Sequence, residues 1–204
     1  AAITAVRDIA KSIAPDQVIG TIATDLEEIG YGSTFNLTGT FKLPDKTPVS
    51  ALNVRFEIKN SGDSNWRTLS AGVTDAAGVI AVPVILGQKS QIRLVSEGSW
   101  ERTEGKTAEK AISVVPNISL SLPASIKVAT SYTVFGQVLP KVAGIKVVVK
   151  QNGKSLGEFL TDTSGGFTFE TKAATTGLAT YQVVIPAGEK NTAAISDEIT
   201  ILVR

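Results

Sequence analysis

The chain states one pattern twice. In its first half Phe35-Asn36-Leu37-Thr38-Gly39 leads through Pro44 to the alternating run Leu52-Asn53-Val54-Arg55-Phe56-Glu57-Ile58, then to Thr74-Asp75-Ala76-Ala77-Gly78. In its second half Tyr132-Thr133-Val134-Phe135-Gly136 leads through Pro140 to Ile145-Lys146-Val147-Val148-Val149. Thr161-Asp162-Thr163-Ser164-Gly165 and Phe167-Thr168-Phe169 follow. Each half closes on two more alternating runs. These are Ile92-Arg93-Leu94-Val95 and Ala111-Ile112-Ser113-Val114 in the first, and Tyr181-Gln182-Val183-Val184 and Glu198-Ile199-Thr200-Ile201 in the second. A spacing of roughly 90 residues is the length of one small domain, so the 204 residues are expected to form two domains of the same fold.

Alternation with period two buries one face of a strand and wets the other, the signature of antiparallel sheets packed face to face. Short runs rich in Val, Ile, Thr, Phe and Tyr, divided by Gly, Pro, Asp and Ser clusters, point the same way through β-propensity and turn chemistry. The expected fold class is all-β, with two tandem antiparallel β-sandwich domains. Their expected limits are 21–115 and 117–204, because Pro116 has no N–H for a ladder and suits a short connector. Residues 1–20 are expected to be a linker or a short helix. Ile3, Val6, Ile9, Ala10 and Ile13 have near-helical spacing, and Pro15 stops the pattern. Gly20 to Thr24 would be the opening strand, and Asp25 to Gly32 an acidic segment containing a turn.

Composition then removes most chemistry. Without Cys, His or Met there are no disulfides, thiol nucleophiles, imidazole bases or soft metal ligands. A serine hydrolase would need lysine as its base. No S-x-x-K context supports one, since Ser12 follows Lys11, and Ser125 and Lys127 stand two apart in an expected strand. The chain is therefore expected not to be an enzyme and to use no cofactor. With 20 Lys plus Arg against 19 Asp plus Glu it has no basic footprint for nucleic acid. Its longest apolar stretches fall far short of a membrane span, so no membrane insertion by this segment is expected.

Written out as a repeat, the chain resembles the immunoglobulin-like modules strung along actinobacterial and other Gram-positive surface and secreted proteins. The likeness covers about residues 21 to 204. It rests on Gly-x-x-x-x-Pro, the alternating strand, a hairpin that carries Trp66 in the first copy, the T-D-x-x-G turn, and the closing strands. It implies two tandem immunoglobulin-like antiparallel β-sandwich domains acting as a structural, spacer or adhesive part of a bacterial cell-surface or extracellular protein. The implied partners are neighbouring domains of a longer chain or other surface proteins. The first copy departs from the pattern at Asp45 to Ser50 and at the charged Glu97 to Lys110 loop, where an individual function could have been added. Two further roles fit the same residues: a carbohydrate- or protein-binding accessory module, and a subunit of a surface layer or phage-like particle.

Candidate sites are few, and each has a plain structural alternative. Trp66 and Trp100 are the only tryptophans, and an exposed indole can stack on a sugar, so they are the candidate ligand contacts and glycans the candidate ligand. Asp75 and Asp162 could begin calcium loops. Calcium wants six to eight oxygens, whereas a turn aspartate bonding its own backbone needs none of them. Asp25, Glu27 and Glu28 are the other acidic group. Lys146 or Lys127 with Asn191 and Glu198 are formal partners for the Lys–Asn crosslink found in some Gram-positive adhesins, which the resemblance brings with it.

Overall fold

The computed structural model describes residues 3–6, 9 and 14–204. Of the amino-terminal segment, residues 3–6 and Ile9 are helical and Ile3, Val6 and Ile9 are exposed, while Ala10, Lys11, Ser12 and Ile13 lie outside the described residues. All other regular structure described is strand. The first set is β1 (Ile19–Thr24), β2 (Glu28–Gly30), β3 (Thr34–Lys42), β4 (Asn53–Asn60), β5 (Arg67–Val73), β6 (Val79–Ile85), β7 (Ser90–Ser96), β8 (Gly105–Lys106) and β9 (Lys110–Val115). The second set is β10 (Asn117–Ser121), β11 (Ser125–Ile126), β12 (Ser131–Leu139), β13 (Lys146–Gln151), β14 (Lys154–Leu160), β15 (Gly166–Lys172), β16 (Gly177–Ile185), β17 (Ala194–Ile195) and β18 (Ile199–Val203).

The two sets share one topology. One sheet of the first set is ordered β1-β3-β6 and the other β2-β9-β7-β4-β5, with β8 beside β7. In the second set the orders are β10-β12-β15 and β11-β18-β16-β13-β14, with β17 beside β16. Among the named strands every pairing is antiparallel except β2 with β9 and β11 with β18, which are parallel. An opening strand split between the two sheets, its second half parallel to the last strand, is an immunoglobulin-like arrangement, and the chain is two such sandwiches in tandem. By backbone contacts the chain divides into two compact units between Ile112 and Ser113, with Glu28–Ser33 and Leu86–Lys89 grouped with the second.

Sequence parity builds each core. Along β4, Val54, Phe56 and Ile58 are buried while Asn53, Arg55, Glu57 and Lys59 face outward; Leu37, Phe41, Ile92, Leu94 and Ile112 are fully buried. In the second sandwich Val134, Val138, Ile145, Val147, Val149, Phe167, Phe169, Val183 and Ile185 form one cluster. Ile126, Ala179, Tyr181, Ile201 and Val203 form another. Each large apolar side chain so buried stabilises its sandwich by about 1.5–3 kcal/mol before entropy is subtracted.

The T-D-x-x-G segment recurs atom for atom. Thr74 Oγ1 donates to Val49 O (2.7 Å) and accepts from Leu52 N (3.0 Å), while Thr161 Oγ1 donates to Val142 O (2.6 Å) and accepts from Ile145 N (2.9 Å). Both glycines need their freedom. Gly78 (φ 71°) and Gly165 (φ 77°) lie in the left-handed region, and a Cβ on either would collide with the carbonyl oxygen of Phe41 or Val138. A further correspondence lies on the sheet edge, where β5 and β14 each carry one unpaired residue. Register shifts there leave Leu69 and Leu156 without partners, so a β-bulge sits at the same place in both copies.

Two readings need correction. Asp25 to Gly32 is not only a turn, because it contains β2, a strand too short for alternation to reveal. The Glu97–Lys110 loop is not peculiar to the first copy either: β8 pairs with β7 inside it just as β17 pairs with β16 between β16 and β18.

Candidate functional site

Trp66 stands just ahead of β5, half-buried, with its ring occupied. The guanidinium carbon of Arg93 lies 4.1 Å from the ring centroid and the Lys59 ammonium 4.9 Å. Arg93 is held in turn by Glu57 at 2.8 Å, and Arg55 pairs with both Glu57 and Glu97. The outer face of the β4–β7 pair is therefore a ladder of charges with an indole at one end. A sugar would have to displace a cation–π contact worth about 0.5–1 kcal/mol before reaching the ring.

Trp100 is 58% exposed. Its loop is tightly tied: Ser99 N donates to Arg102 O, and Asp16 N and Thr103 N bond Glu101 O and Asp16 O, each at 2.8–2.9 Å. The indole thus stands on a fixed loop tip, beside the exposed side chain of Ser99 and the half-exposed Glu101 and Arg102.

Of the acidic candidates, Asp75, Asp162 and Glu27 are held by local structure, and Asp25 and Glu28 are exposed. Asp75 Oδ1 accepts from Ala77 N and Val79 N, and Asp162 Oδ1 from Ser164 N, Gly166 N and the Ser164 hydroxyl. The Ser164 hydroxyl first, then the backbone N–H groups, hold the Asp162 carboxyl below the ordinary carboxylate range. Glu27 pairs with Lys110 at 2.6 Å, and that hydrogen bond lowers its pKa. Among the described residues no three acidic side chains converge as a metal would require.

The crosslink candidates do not meet. Lys146 lies on the surface paired with Glu158 at 2.6 Å, and Lys127 and Glu198 are exposed. Asn191 donates through Nδ2 to Pro186 O and Thr192 O within its own loop. Ser125 accepts a hydrogen bond from Arg204, which cannot serve as a base.

Two polar or aromatic features escaped the sequence reading. The first is internal: Tyr181, fully buried, shares a hydrogen bond with the Tyr132 hydroxyl and accepts another from Gln151 Nε2. The two rings meet edge to face at 6.3 Å. Burial first, then the Tyr132 hydroxyl, pushes the Tyr181 pKa far up, so this phenol stays neutral and acts as a structural tie.

The second is Phe135, in the middle of β12, at the centre of the second sandwich's three-stranded sheet, and 57% exposed. The register sets it between Ser121 and Thr168, and sets Gln137 between Ser119 and Gly166. Shallow troughs run on both sides of the ring. One, about 340 Å³, is bordered by Ser119, Ser121, Gln137 and Ser164; the other, about 430 Å³, by Leu160, Asp162 and Thr168. Gly166 reaches into both, so no side chain divides them at that point. Parity was the available signal, since Tyr132, Val134 and Val138 take the inward phase and Phe135 falls on the outward one.

No family model and no curated protein matches the sequence. Solved structures similar to the chain include native Escherichia coli alpha-2-macroglobulin, at 9% identity and a TM-score of 0.44 over 92% of this chain and 17% of that one. The Yersinia pseudotuberculosis adhesin InvE is similar at 13% identity and a TM-score of 0.42 over 89% and 58%. Fibronectin(III)-like modules of Clostridium thermocellum CbhA are similar at 19% identity and a TM-score of 0.34 over 90% and 93%. The chain thus spans about a sixth of the macroglobulin and somewhat over half of the adhesin chain.

Proposed function

We propose that this chain is a non-catalytic, load-bearing spacer of a bacterial cell-surface or secreted protein, made of two modules spanning 21–115 and 117–204. The observation that carries the reading is the parallel pairing, in each sandwich, of the last strand with the second half of the split opening strand. Ile29 pairs with Val114 in the first, and Ile126 with Val203 in the second. Parallel terminal strands bring the chain in at one pole and let it out at the other. At one end of the first sandwich Val18 N is bonded to Thr103 and Gly105 pairs with Ser96, the end of β7. At the opposite end the start of β7 faces Ile112. Tension along the chain then pulls the paired strands past each other, and several hydrogen bonds must fail together. An antiparallel pair with adjacent ends would open one bond at a time.

The test is force spectroscopy on the tethered chain. Two separate unfolding events are expected, each releasing roughly 30 nm at about 3.5 Å per residue. Opening of either module at the force that unzips an antiparallel hairpin control would end the load-bearing reading. A single event for the whole chain would end the two-module boundary.

A further inference from the structure

We infer that the outer face of the β10-β12-β15 sheet, centred on Phe135, is a binding site for a neutral polysaccharide, with the ring stacked on the flat face of one sugar. The repeat supplies the first argument. Phe135 corresponds in register to Thr38, which the first copy sets between Ala23 and Ala81. The same sheet therefore forms with a small polar residue at this position. Folding does not require the ring, and an exposed phenylalanine there is an added feature.

The surroundings supply the second argument. The residues beside the ring in its own register row and in the rows on either side are Ser121, Thr168, Ser119, Gln137, Gly166, Thr133 and Glu170, which offer hydroxyls, an amide, one carboxylate and an open floor. Gln137 is already steadied by a bond from Nε2 to Ser164 O at 3.3 Å. An apolar protein segment would leave those polar groups unmatched, and no lysine or arginine borders the troughs to hold an anion. A sugar ring has both required properties, an apolar C–H face for the phenyl ring and equatorial hydroxyls around its rim. The two troughs, on either side of one ring, suit a chain that continues past the stacked unit. Asp162 at the rim of the larger trough is an anionic acceptor that would turn away acidic polysaccharides.

The site is tested on the full 204-residue chain by affinity electrophoresis and pull-down against cellulose, chitin, xylan and starch. Retention by at least one is expected, with a loss of about tenfold or more in Phe135→Thr, the residue that the first copy tolerates. Phe135→Tyr should keep retention, and Trp66→Ala and Trp100→Ala should leave it unchanged. No retention on any of the four, or equal retention by Phe135→Thr, would overturn the assignment. So would a wild-type dimer that Phe135→Thr makes monomeric, because the face would then be a contact between copies. None of these outcomes bears on the force measurement, which reads the β2–β9 and β11–β18 pairings rather than the β10-β12-β15 surface.

Discussion

At the residue scale the two copies act as controls for each other. Where the second sandwich bonds buried Tyr181 to half-buried Tyr132 and Gln151, the equivalent positions of the first hold Phe35, Ile92 and Ile58, all apolar and buried. Either set is self-consistent, but a mixture is not. Tyr181→Phe removes the shared hydroxyl and leaves Gln151 without that partner, which should cost about 1–3 kcal/mol. The triple change Tyr132→Phe, Tyr181→Ile, Gln151→Ile should recover most of the loss in urea melts. Asp162 gives a pH test. Its folded pKa is depressed, so the stability it contributes is complete above the ordinary value of 3.8 and is lost as pH falls through the lower folded one. Asp162→Asn should therefore flatten the fall in melting temperature of the second sandwich between about pH 4 and pH 2. Asp162 and Gly165 were legible beforehand because turn chemistry is local. The tyrosine group was not, because its members are far apart in sequence and each is unremarkable in an alternating run.

At the element scale, what could be read followed strand length. Strands such as β3, β4 and β7 are long enough for period two to announce both their existence and their buried face. β2 shows no period, β11 lies within the strand expected around Ser125 and Lys127, and the parallel partners of both lie some 75 to 85 residues further along the chain. These distant pairings, which no local pattern reveals, are the ones on which the mechanical proposal depends. Val128 N donates to Arg204 O at 2.7 Å and Tyr31 N to Val115 O at 3.0 Å, each extending a parallel ladder by one bond. Val128→Pro deletes one such donor, and should lower the unfolding force of one event in the two-event trace while leaving the other in place.

At the scale of the whole molecule, charge and aromatic groups are unevenly placed. The first sandwich carries the Arg55, Glu57, Arg93 and Lys59 ladder on its larger sheet, and the second carries on its smaller one the Phe135 platform, with the carboxylates Asp162 and Glu170 at its margin. Sequence reading found the tryptophans because they are rare, and missed the phenylalanine because one of seven draws no notice until its face is known. The bulges at Leu69 and Leu156 matter at this scale. Removing Leu156 should straighten the β14 edge, and light scattering should then show association that grows with protein concentration. Kinship between successive modules is a hazard, since open edges of the same geometry invite a strand of one to anneal onto another. A kink at the same point in each copy denies that exchange, so each sandwich keeps its own strands although the chain repeats the fold.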